Sequence, residues 1–263
     1  MKVALDVHNL TVSYDQSPVL WDVDFEIPEG KITGVIGPNG SGKTTLIKTI
    51  MGILKPDSGH VRIFGQKLKQ VRKKVAYVPQ KESVDWDFPT TVKDVVKMGR
   101  YRPGGVFRRL TSTDKKIVAD AIDQVGLTQF QNRQIAQLSG GQQQRVFLAR
   151  ALAQKADIYF MDEPFVGVDA ATENAILAIL QKMIAGGKTI VIIHHDLHTV
   201  AKYFDYILLL NTRLVACGPK AEVLTKENLE NAYGGQLTAL SYLGNVIKEK
   251  EFPIREKGFK EHD

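Results

Sequence analysis

The sequence predicts an α/β protein with a parallel β-sheet covered on both faces. Two apolar runs, TIVII (189–193) and YILLL (206–210), have the length and composition of buried parallel strands. After residue 156, strand patterns alternate with helical patterns, which is typical of a parallel sheet. From about residue 86 to residue 153 the pattern is helical instead. We therefore expect a helical lobe inserted into the α/β core.

Strands and turns dominate the chain up to about residue 80. LWDVDFEI (20–27) alternates apolar and polar residues, as a strand with one covered face does. KITGVI (31–36), HVRIF (60–64) and KVAYVP (74–79) are predicted as further strands. Directly after KITGVI and a glycine-rich stretch, LIKTIMG (46–52) has a helical pattern.

The middle of the chain contains three predicted helices. The first is TTVKDVVKMG (90–99), and the second is STDKKIVADAIDQVG (112–126), with Ser112 or Thr113 as its N-cap. A third opens near Gly141.

A strand–helix–strand pattern follows the helical middle. ADIYFM (156–161) and KTIVII (188–193) are predicted strands, and TENAILAILQKMIAGG (172–187) is a predicted helix that ends at its glycine pair. Its apolar stripe consists of Ile176, Ile179, Leu180, Met183 and Ile184.

Composition indicates a soluble globular protein of 263 residues, 43% apolar and 24% charged. No apolar run reaches the ~18 to 20 residues that cross a bilayer, and the N-terminus lacks a secretory signal pattern. The single cysteine, Cys217, excludes an internal disulfide and fits a reducing cytoplasm. The net charge of +6 arises from interspersed charges, which favours solvated faces over a nucleic-acid or membrane surface without excluding either.

The stretch GPNGSGKTT (37–45) lies between a predicted strand and a predicted helix and matches G-x-x-x-x-G-K-[ST] completely. Such a loop holds a nucleoside triphosphate, because its free N–H groups and the helix dipole attract phosphate. Lys43 is expected to reach the β- and γ-phosphates, Thr44 to ligate Mg²⁺, and Thr45 to lie near the α-phosphate. The other predicted nucleotide contacts are Gly37, Pro38, Asn39, Gly40, Ser41 and Gly42.

Two carboxylates end the apolar strand in IYFMDE (158–163). Asp162 is placed to hold Mg²⁺, and Glu163 is suited to orient and deprotonate an attacking water. In isolation, such a pair is more often the start of a loop. Its occurrence after a phosphate-binding loop favours a catalytic role.

A second predicted anion site begins at LSGGQQQR (138–145), which lies 95 residues after Lys43. Ser139 and the N–H groups of Gly140 and Gly141 would cap the helix that follows. At this string the sequence resembles the ATPases of ABC transporters, whose signature is LSGGQ. The resemblance extends from residue 3 to about residue 240.

The resemblance implies a P-loop NTPase (RecA-like) core with an N-terminal antiparallel β subdomain and an inserted α-helical subdomain. It divides the chain into an ATPase domain, 1–240, and a charged C-terminal tail, 241–263. Within the domain, residues 1–85 and 155–240 would form the nucleotide-binding core lobe and residues 86–154 the helical lobe. It also implies a head-to-tail homodimer. In that dimer the signature residues of one copy, Ser139, Gly140, Gly141 and Gln142, close over the ATP held by the other.

Other family positions match in order. Gln80 corresponds to a glutamine that contacts Mg²⁺ or the attacking water and links to the membrane partner, and Asp169 corresponds to a family acid that is counted among the ATP-binding residues. His195, directly before Asp–Leu, corresponds to the histidine that contacts the γ-phosphate, and His194 is assigned no such role. Tyr14 matches an aromatic residue that stacks on adenine, although simple surface packing is the alternative. The implied Mg²⁺ ligands are Thr44, Gln80 and Asp162.

One departure from the family pattern is Val166, where many members carry serine, and it leaves hydrogen bonding at the dimer seam in doubt. The strings 82–101 and 162–173 resemble ATPases of bacterial importers for manganese, zinc or iron. Trp86, Phe88 and Pro89 in the first string suggest a groove for a membrane protein's short helix, and packing within the helical lobe is the alternative.

The sequence therefore predicts an ATP-hydrolysing subunit, at the cytoplasmic face of the membrane, of an importer for divalent metal ions. Manganese is the first candidate, with zinc and iron as alternatives. The implied partners are a second copy, transmembrane permease subunits and, indirectly, an extracytoplasmic metal-binding protein. No nucleic-acid partner is expected, because the basic stretch 100–109 is more typical of a solvated loop. Six histidines without ligand-spaced partners argue against a transition-metal site in this chain.

Three rival functions fit the sequence less well. A soluble ABC protein acting on DNA or ribosomes would usually carry two cassettes or a coiled coil, and this chain has neither. A non-hydrolysing regulator would not need Asp162, Glu163 and His195, and a small-molecule kinase would have no use for LSGGQ.

Overall fold

The structure, a computed structural model, describes residues 2–15, 17–80, 86, 88–100 and 110–234. Its strands are β1 (Val3–Tyr14), β2 (Ser17–Pro28), β3 (Ile32–Ile36), β4 (Ser58–Ile63), β5 (Val75–Val78), β6 (Ile158–Asp162), β7 (Thr189–Ile193), β8 (Tyr206–Asn211) and β9 (Arg213–Pro219). The helices are α1 (Lys43–Ile50), α2 (Leu68–Val71), α3 (Val92–Met98), α4 (Ser112–Gln124), α5 (Gly140–Gln154), α6 (Ala170–Ala185), α7 (Leu197–Tyr203), α8 (Lys220–Val223) and α9 (Lys226–Tyr233).

A six-stranded sheet forms the centre of the fold, in the order β5-β6-β7-β3-β8-β9. The first five strands in this order, β5, β6, β7, β3 and β8, are parallel to their neighbours. The sixth strand, β9, pairs with β8 in the antiparallel direction. The parallel pairing predicted for the runs at 189–193 and 206–210 is confirmed. The edge strand β9 was not predicted, because most of its side chains are only half-buried and its pattern does not alternate clearly.

A separate three-stranded sheet has the order β2-β1-β4, and both of its pairings are antiparallel. Its apolar face packs, together with α1, on one face of the six-stranded sheet. This second layer is the N-terminal antiparallel β subdomain that the family resemblance implied. It covers the central sheet because β1 and β2 together present a face of buried side chains, among them Leu5, Val7, Leu20 and Val23.

Helices cover the other face of the six-stranded sheet. Along β6, Tyr159 and Met161 join the core under α3, α4, α5 and α6, whereas Ile158 and Phe160 join the core under the antiparallel sheet. This division follows from the alternation of side chains along a strand. The fold therefore combines a parallel core, an antiparallel β subdomain and a helical region, as expected. The division at residues 85, 155 and 240 stays a prediction.

The predicted N-cap of α4 is wrong by one or two residues. Thr111 is the N-cap, since its side chain accepts a hydrogen bond from Asp114 N at 3.1 Å and the Asp114 carboxylate accepts one from Thr111 N. This reciprocal pair is a capping box, which Ser112 and Thr113 cannot form because no acid or amide lies three residues after either of them.

The predicted basic loop, apart from Arg100, and the predicted tail at 241–263 lie outside the described residues.

The capping box yields a stability prediction. Thr111→Ala should lower the free energy of unfolding by about 1 kcal/mol, because it leaves helix N–H groups without an acceptor. Ser112→Ala is the matched control, since Ser112 is exposed and makes no capping bond. Chemical denaturation of both variants measures the difference. Equal loss in both would contradict the cap assignment.

Candidate nucleotide-binding and hydrolysis site

The loop 37–42 connects β3 to α1, so the predicted strand–loop–helix context is present. Gly42 has φ +95°, and a Cβ there would lie 2.6 Å from Leu20 Cδ2 and 2.9 Å from the carbonyl oxygen of Val19. A Cβ on Gly37 would overlap the carbonyl oxygen of Leu210. Glycine is required at both positions because the loop is wedged between β2 and the end of β8.

Lys43 lies inside the curve of this loop and is buried. Its ammonium donates to the carbonyl oxygens of Gly37 at 2.9 Å and Pro38 at 2.8 Å. Burial lowers the pKa of Lys43, and the negative charges of Glu163 and Asp162 oppose that shift. The ammonium also lies 3.5 Å from Ser41 Oγ, so the described hydrogen-bond partners of this cation are all neutral oxygens of the loop.

The remaining loop residues differ in exposure. Asn39 and Gly40 are exposed, Pro38 and Thr44 are half-buried, and Ser41, Gly42 and Thr45 are buried. The residues that face solvent lie at the tip of the loop, where an incoming phosphate chain would meet them first.

Asp162 ends β6 and is almost completely buried. Its Oδ1 atom is buried without a hydrogen-bond partner in the described part of the chain. Burial raises the pKa of Asp162 to about 6, helped by the Glu163 charge and opposed by the Thr44 side chain, Lys48 and Lys43. A buried carboxylate oxygen beside a threonine hydroxyl fits a hard cation such as Mg²⁺, which prefers oxygen ligands.

Glu163 leaves the strand with a left-handed backbone, φ +51°, and its N–H donates to the carbonyl oxygen of Ile193. Its carboxylate accepts a hydrogen bond from Gln80 Nε2 at 3.2 Å. The second carboxylate oxygen lies 3.5 Å from His195 Nδ1. Gln80 and His195, which are distant from Glu163 in the sequence, therefore both lie beside its carboxylate.

The two neighbouring histidines occupy different environments. His195 is half-exposed and lies beside Glu163. His194 is 5% exposed, and burial lowers its pKa to about 4. Its Nε2 lies 2.6 Å from Thr199 Oγ1. His195, and not His194, therefore lies beside the Glu163 carboxylate. Nothing in the sequence pattern had indicated Thr199.

The predicted signature residues lie at the start of α5. Ser139 is the N-cap: its hydroxyl accepts from Gln142 N at 3.4 Å, and the Gln142 side chain accepts from Ser139 N at 3.0 Å. A Cβ on Gly141 would lie 3.0 Å from the Thr172 hydroxyl, so this end of α5 packs against α6. In the described residues, no hydrogen bond or ion pair joins 139–142 to the loop 37–45.

The other predicted residues lie around these groups. Asp169 caps α6 by accepting from Thr172 N at 2.7 Å, and this hydrogen bond lowers the pKa of Asp169. Tyr14 ends β1 and is 48% exposed. The Trp86 ring packs edge-on against the Phe147 ring of α5, with the ring centroids 5.2 Å apart. For Trp86 this agrees with the alternative prediction of packing within the helical lobe. Phe88 is exposed.

Comparison with known proteins identifies the family. The ABC transporter family profile matches residues 20–166. The chain belongs to the ABC transporter family. This ABC protein is 56% identical to the zinc transport system ATP-binding protein TroB of Treponema pallidum over 90% of its length and 89% of that protein. It is 54% identical to the manganese transport system ATP-binding protein MntB of Bacillus subtilis over 90% of its length and 94% of that protein.

A solved structure of an ATP-binding subunit of an ABC transporter has the same fold. Its TM-score is 0.75 at 26% identity, and the match covers 92% of this chain and 99% of that one. The predicted fold class and ATPase activity are therefore confirmed. Across the described residues, this ABC ATPase has no helix of the length and apolarity that a bilayer crossing requires. Those residues also contain no group of three or more His, Cys, Asp or Glu arranged to hold a metal ion.

The buried charge of Asp162 yields a pH prediction. The pKa of about 6 in the folded protein exceeds the ordinary value of 3.8, so folded molecules bind more protons between these values. The free energy of unfolding should therefore fall as the pH rises from about 4 to about 6, by on the order of 3 kcal/mol. Asp162→Asn removes this charge. It should melt at a higher temperature than the wild type at about pH 8 without Mg²⁺, and lose that advantage near about pH 4.

Thermal unfolding in a chelating buffer across this pH range measures the effect. Asp120→Asn is the matched control, because Asp120 is an exposed carboxylate on α4. A gain for Asp162→Asn that does not depend on pH would show that its charge is not the cause.

Proposed function

We propose that this chain is the ATP-hydrolysing motor of an importer for divalent metal ions. The cluster at one carboxylate, in which Gln80 and His195 both contact Glu163, carries the hydrolytic role. The cargo is inferred from the zinc and manganese transport relatives. Manganese is the first candidate because several relatives carry that name, with zinc and iron as alternatives.

In this proposal Glu163 is the general base. Its carboxylate is tied at one oxygen by Gln80 and faces His195 with the other, so it is oriented before a water arrives. Lys43 exchanges its carbonyl partners for phosphate oxygens. Thr44, Gln80 and Asp162 would hold Mg²⁺, which neutralises phosphate charge when bound. Exposed Tyr14 would stack on adenine.

A second copy is needed to complete the site. Ser139, Gly140, Gly141 and Gln142 form a capped helix start that makes no bond to the chain's own phosphate loop. A helix N-terminus attracts anions, so these residues suit the γ-phosphate of ATP held by a partner. A head-to-tail dimer satisfies this requirement twice, with Asp169 at the seam.

The permease is proposed to bind at a cleft of about 730 Å³ between the end of α3, α5 and the edge strand β5. Two of its lining residues, Ile53 and Met98, are exposed apolar residues. Arg72, Lys73 and Arg150 give the cleft positive charge, and Arg150 Nε is buried without a hydrogen-bond partner among the described residues. A lining that combines exposed apolar and basic side chains is complementary to a short cytoplasmic helix with an acidic side chain. The subunit would then work at the cytoplasmic face of the membrane, with metal delivered by an extracytoplasmic binding protein.

Glu163→Gln tests the base and the dimer together. The variant should bind ATP normally but hydrolyse it about 10²–10⁴ times more slowly, because the amide cannot accept a proton. It should therefore persist as an ATP-dependent dimer on size-exclusion chromatography. Lys43→Ala should lose ATP binding and remain monomeric. Normal turnover by Glu163→Gln would refute the base assignment.

Metal uptake tests the cargo and the cleft. Cells lacking this subunit should accumulate less manganese than cells that carry it, and elemental analysis of Mn, Zn and Fe measures this. Ile53→Asp should reproduce the loss while the purified protein keeps its ATPase activity, because the site lies elsewhere. Trp21→Ser is the control, since Trp21 is also exposed but does not line the cleft.

Unchanged levels of all three metals without the subunit would overturn the proposed cargo. Full uptake by Ile53→Asp would remove the cleft from the permease interface and leave the cargo assignment standing.

A further inference from the structure

We propose that His194 is a positioning residue that holds His195 and the segment after Glu163 in the geometry for hydrolysis. The inference rests on the proposed roles of Glu163 and His195. It assigns a task to a buried imidazole that contacts neither the phosphate loop nor the Glu163 carboxylate.

The backbone of His194 continues the sheet beyond β7. Its N–H donates to the carbonyl oxygen of Val35 at 3.1 Å, so β7 and β3 remain paired at this point. The neighbouring rings of His194 and His195 have different surroundings, although their centroids are only 6.0 Å apart. His195 is half-exposed beside Glu163, whereas the His194 ring is buried.

In the interior, a side-chain hydrogen bond of His194 joins the two ends of the segment 194–199, which contains His195. The Nε2 atom of His194 lies 2.6 Å from Thr199 Oγ1, in the first turn of α7. The same hydroxyl lies 3.2 Å from both the carbonyl oxygen and the Oδ2 atom of Asp196. A threonine hydroxyl has one proton, so when it donates to Asp196 the imidazole donates to it through Nε2–H. His195 thus lies in a short segment that is held by hydrogen bonds among His194, Asp196 and Thr199.

The ring of His194 also contacts the segment that follows the base. Phe165, two residues after Glu163, lies edge-on to the imidazole with the ring centroids 5.8 Å apart. Tyr203 and Phe204 of the α7 region complete the surroundings at 6.1 and 5.6 Å. One side chain therefore touches both segments whose side chains meet in the site.

Burial keeps this ring neutral near pH 7, since it lowers the pKa of His194 to about 4. A neutral ring can pack among aromatic side chains and still donate one hydrogen bond. It adds no charge beside His195, whose ring centroid is 6.0 Å away. These properties suit a residue that positions its neighbours, and they do not suit a residue that transfers protons.

Two variants separate the hydrogen bond from the packing. His194→Phe keeps an aromatic ring but removes the bond to Thr199, and Thr199→Val removes the hydroxyl at nearly constant volume. Each should lower kcat about ten- to hundredfold, as small misplacements of catalytic groups do. KM for ATP should change by less than about twofold, because the phosphate loop is untouched. Thr199→Ser keeps the hydroxyl and should restore most of the rate.

The decisive measurement is a double-mutant cycle with His195→Ala. Part of the effect should act through His195 and part through the segment after Glu163, so His194→Phe should lower kcat by a smaller factor in the His195→Ala background than in the wild type. An equal further loss in that background, or a wild-type rate in both His194→Phe and Thr199→Val, would overturn the inference. A wild-type rate in His195→Ala would instead refute the proposed role of His195. Thermal melts establish that each variant is folded, and Thr199→Val decides the question if His194→Phe is not.

Discussion

The register of three parallel strands is the constraint on which the site depends. Val35 pairs with Ile193, and Ile193 pairs with Asp162, so the next-to-last residue of β3 and the last residues of β7 and β6 form one row across the sheet. The chain leaves each strand directly beyond this row. The phosphate loop, the two histidines and the Asp162–Glu163 pair therefore emerge at the same edge, which is where parallel α/β sheets bind ligands. A shift of one residue in any of these strands would turn its side chains to the other face.

Charge is concentrated at this edge at the expense of stability. Burial shifts the pKa of Lys43 downward and that of Asp162 upward, so each group is pushed toward its neutral form. Their opposite charges attract each other and offset part of this penalty. The partners that would satisfy them fully, an anionic phosphate chain and a divalent cation, match the ATP and Mg²⁺ of the proposed function. Such preorganised charges need little rearrangement when substrate arrives.

Two family residues have a structural task in the single chain. Ser139 and Asp169 each cap a helix, and their side chains already accept backbone hydrogen bonds within the subunit. What these helix starts can still offer a second copy is the positive end of the helix dipole and the N–H groups that the caps leave free. The caps thus stabilise the surfaces that the proposed dimer would use. Val166, at the position where many family members carry serine, takes part in neither cap.

Local patterns were sufficient for much of this protein. The glycine spacing, the apolar strand before Asp162 and Glu163, and the SGGQ helix start each follow a short-range rule, so most strands of the central sheet, the longer helices and these site candidates could be predicted from the sequence. The edge strand β9 and the short helices α2, α7, α8 and α9 were not predicted. The N-cap Thr111 could have been found by the same rule, since threonine with an acid three residues later is visible in the text. Other features depend on contacts between distant residues. The second β layer over the central sheet, the packing of Trp86 on Phe147, and the meeting of Gln80, His195 and Glu163 are of this kind. So is the hydrogen bond of His194 with Thr199, because burial and hydrogen bonding distinguish two adjacent histidines that have identical side chains.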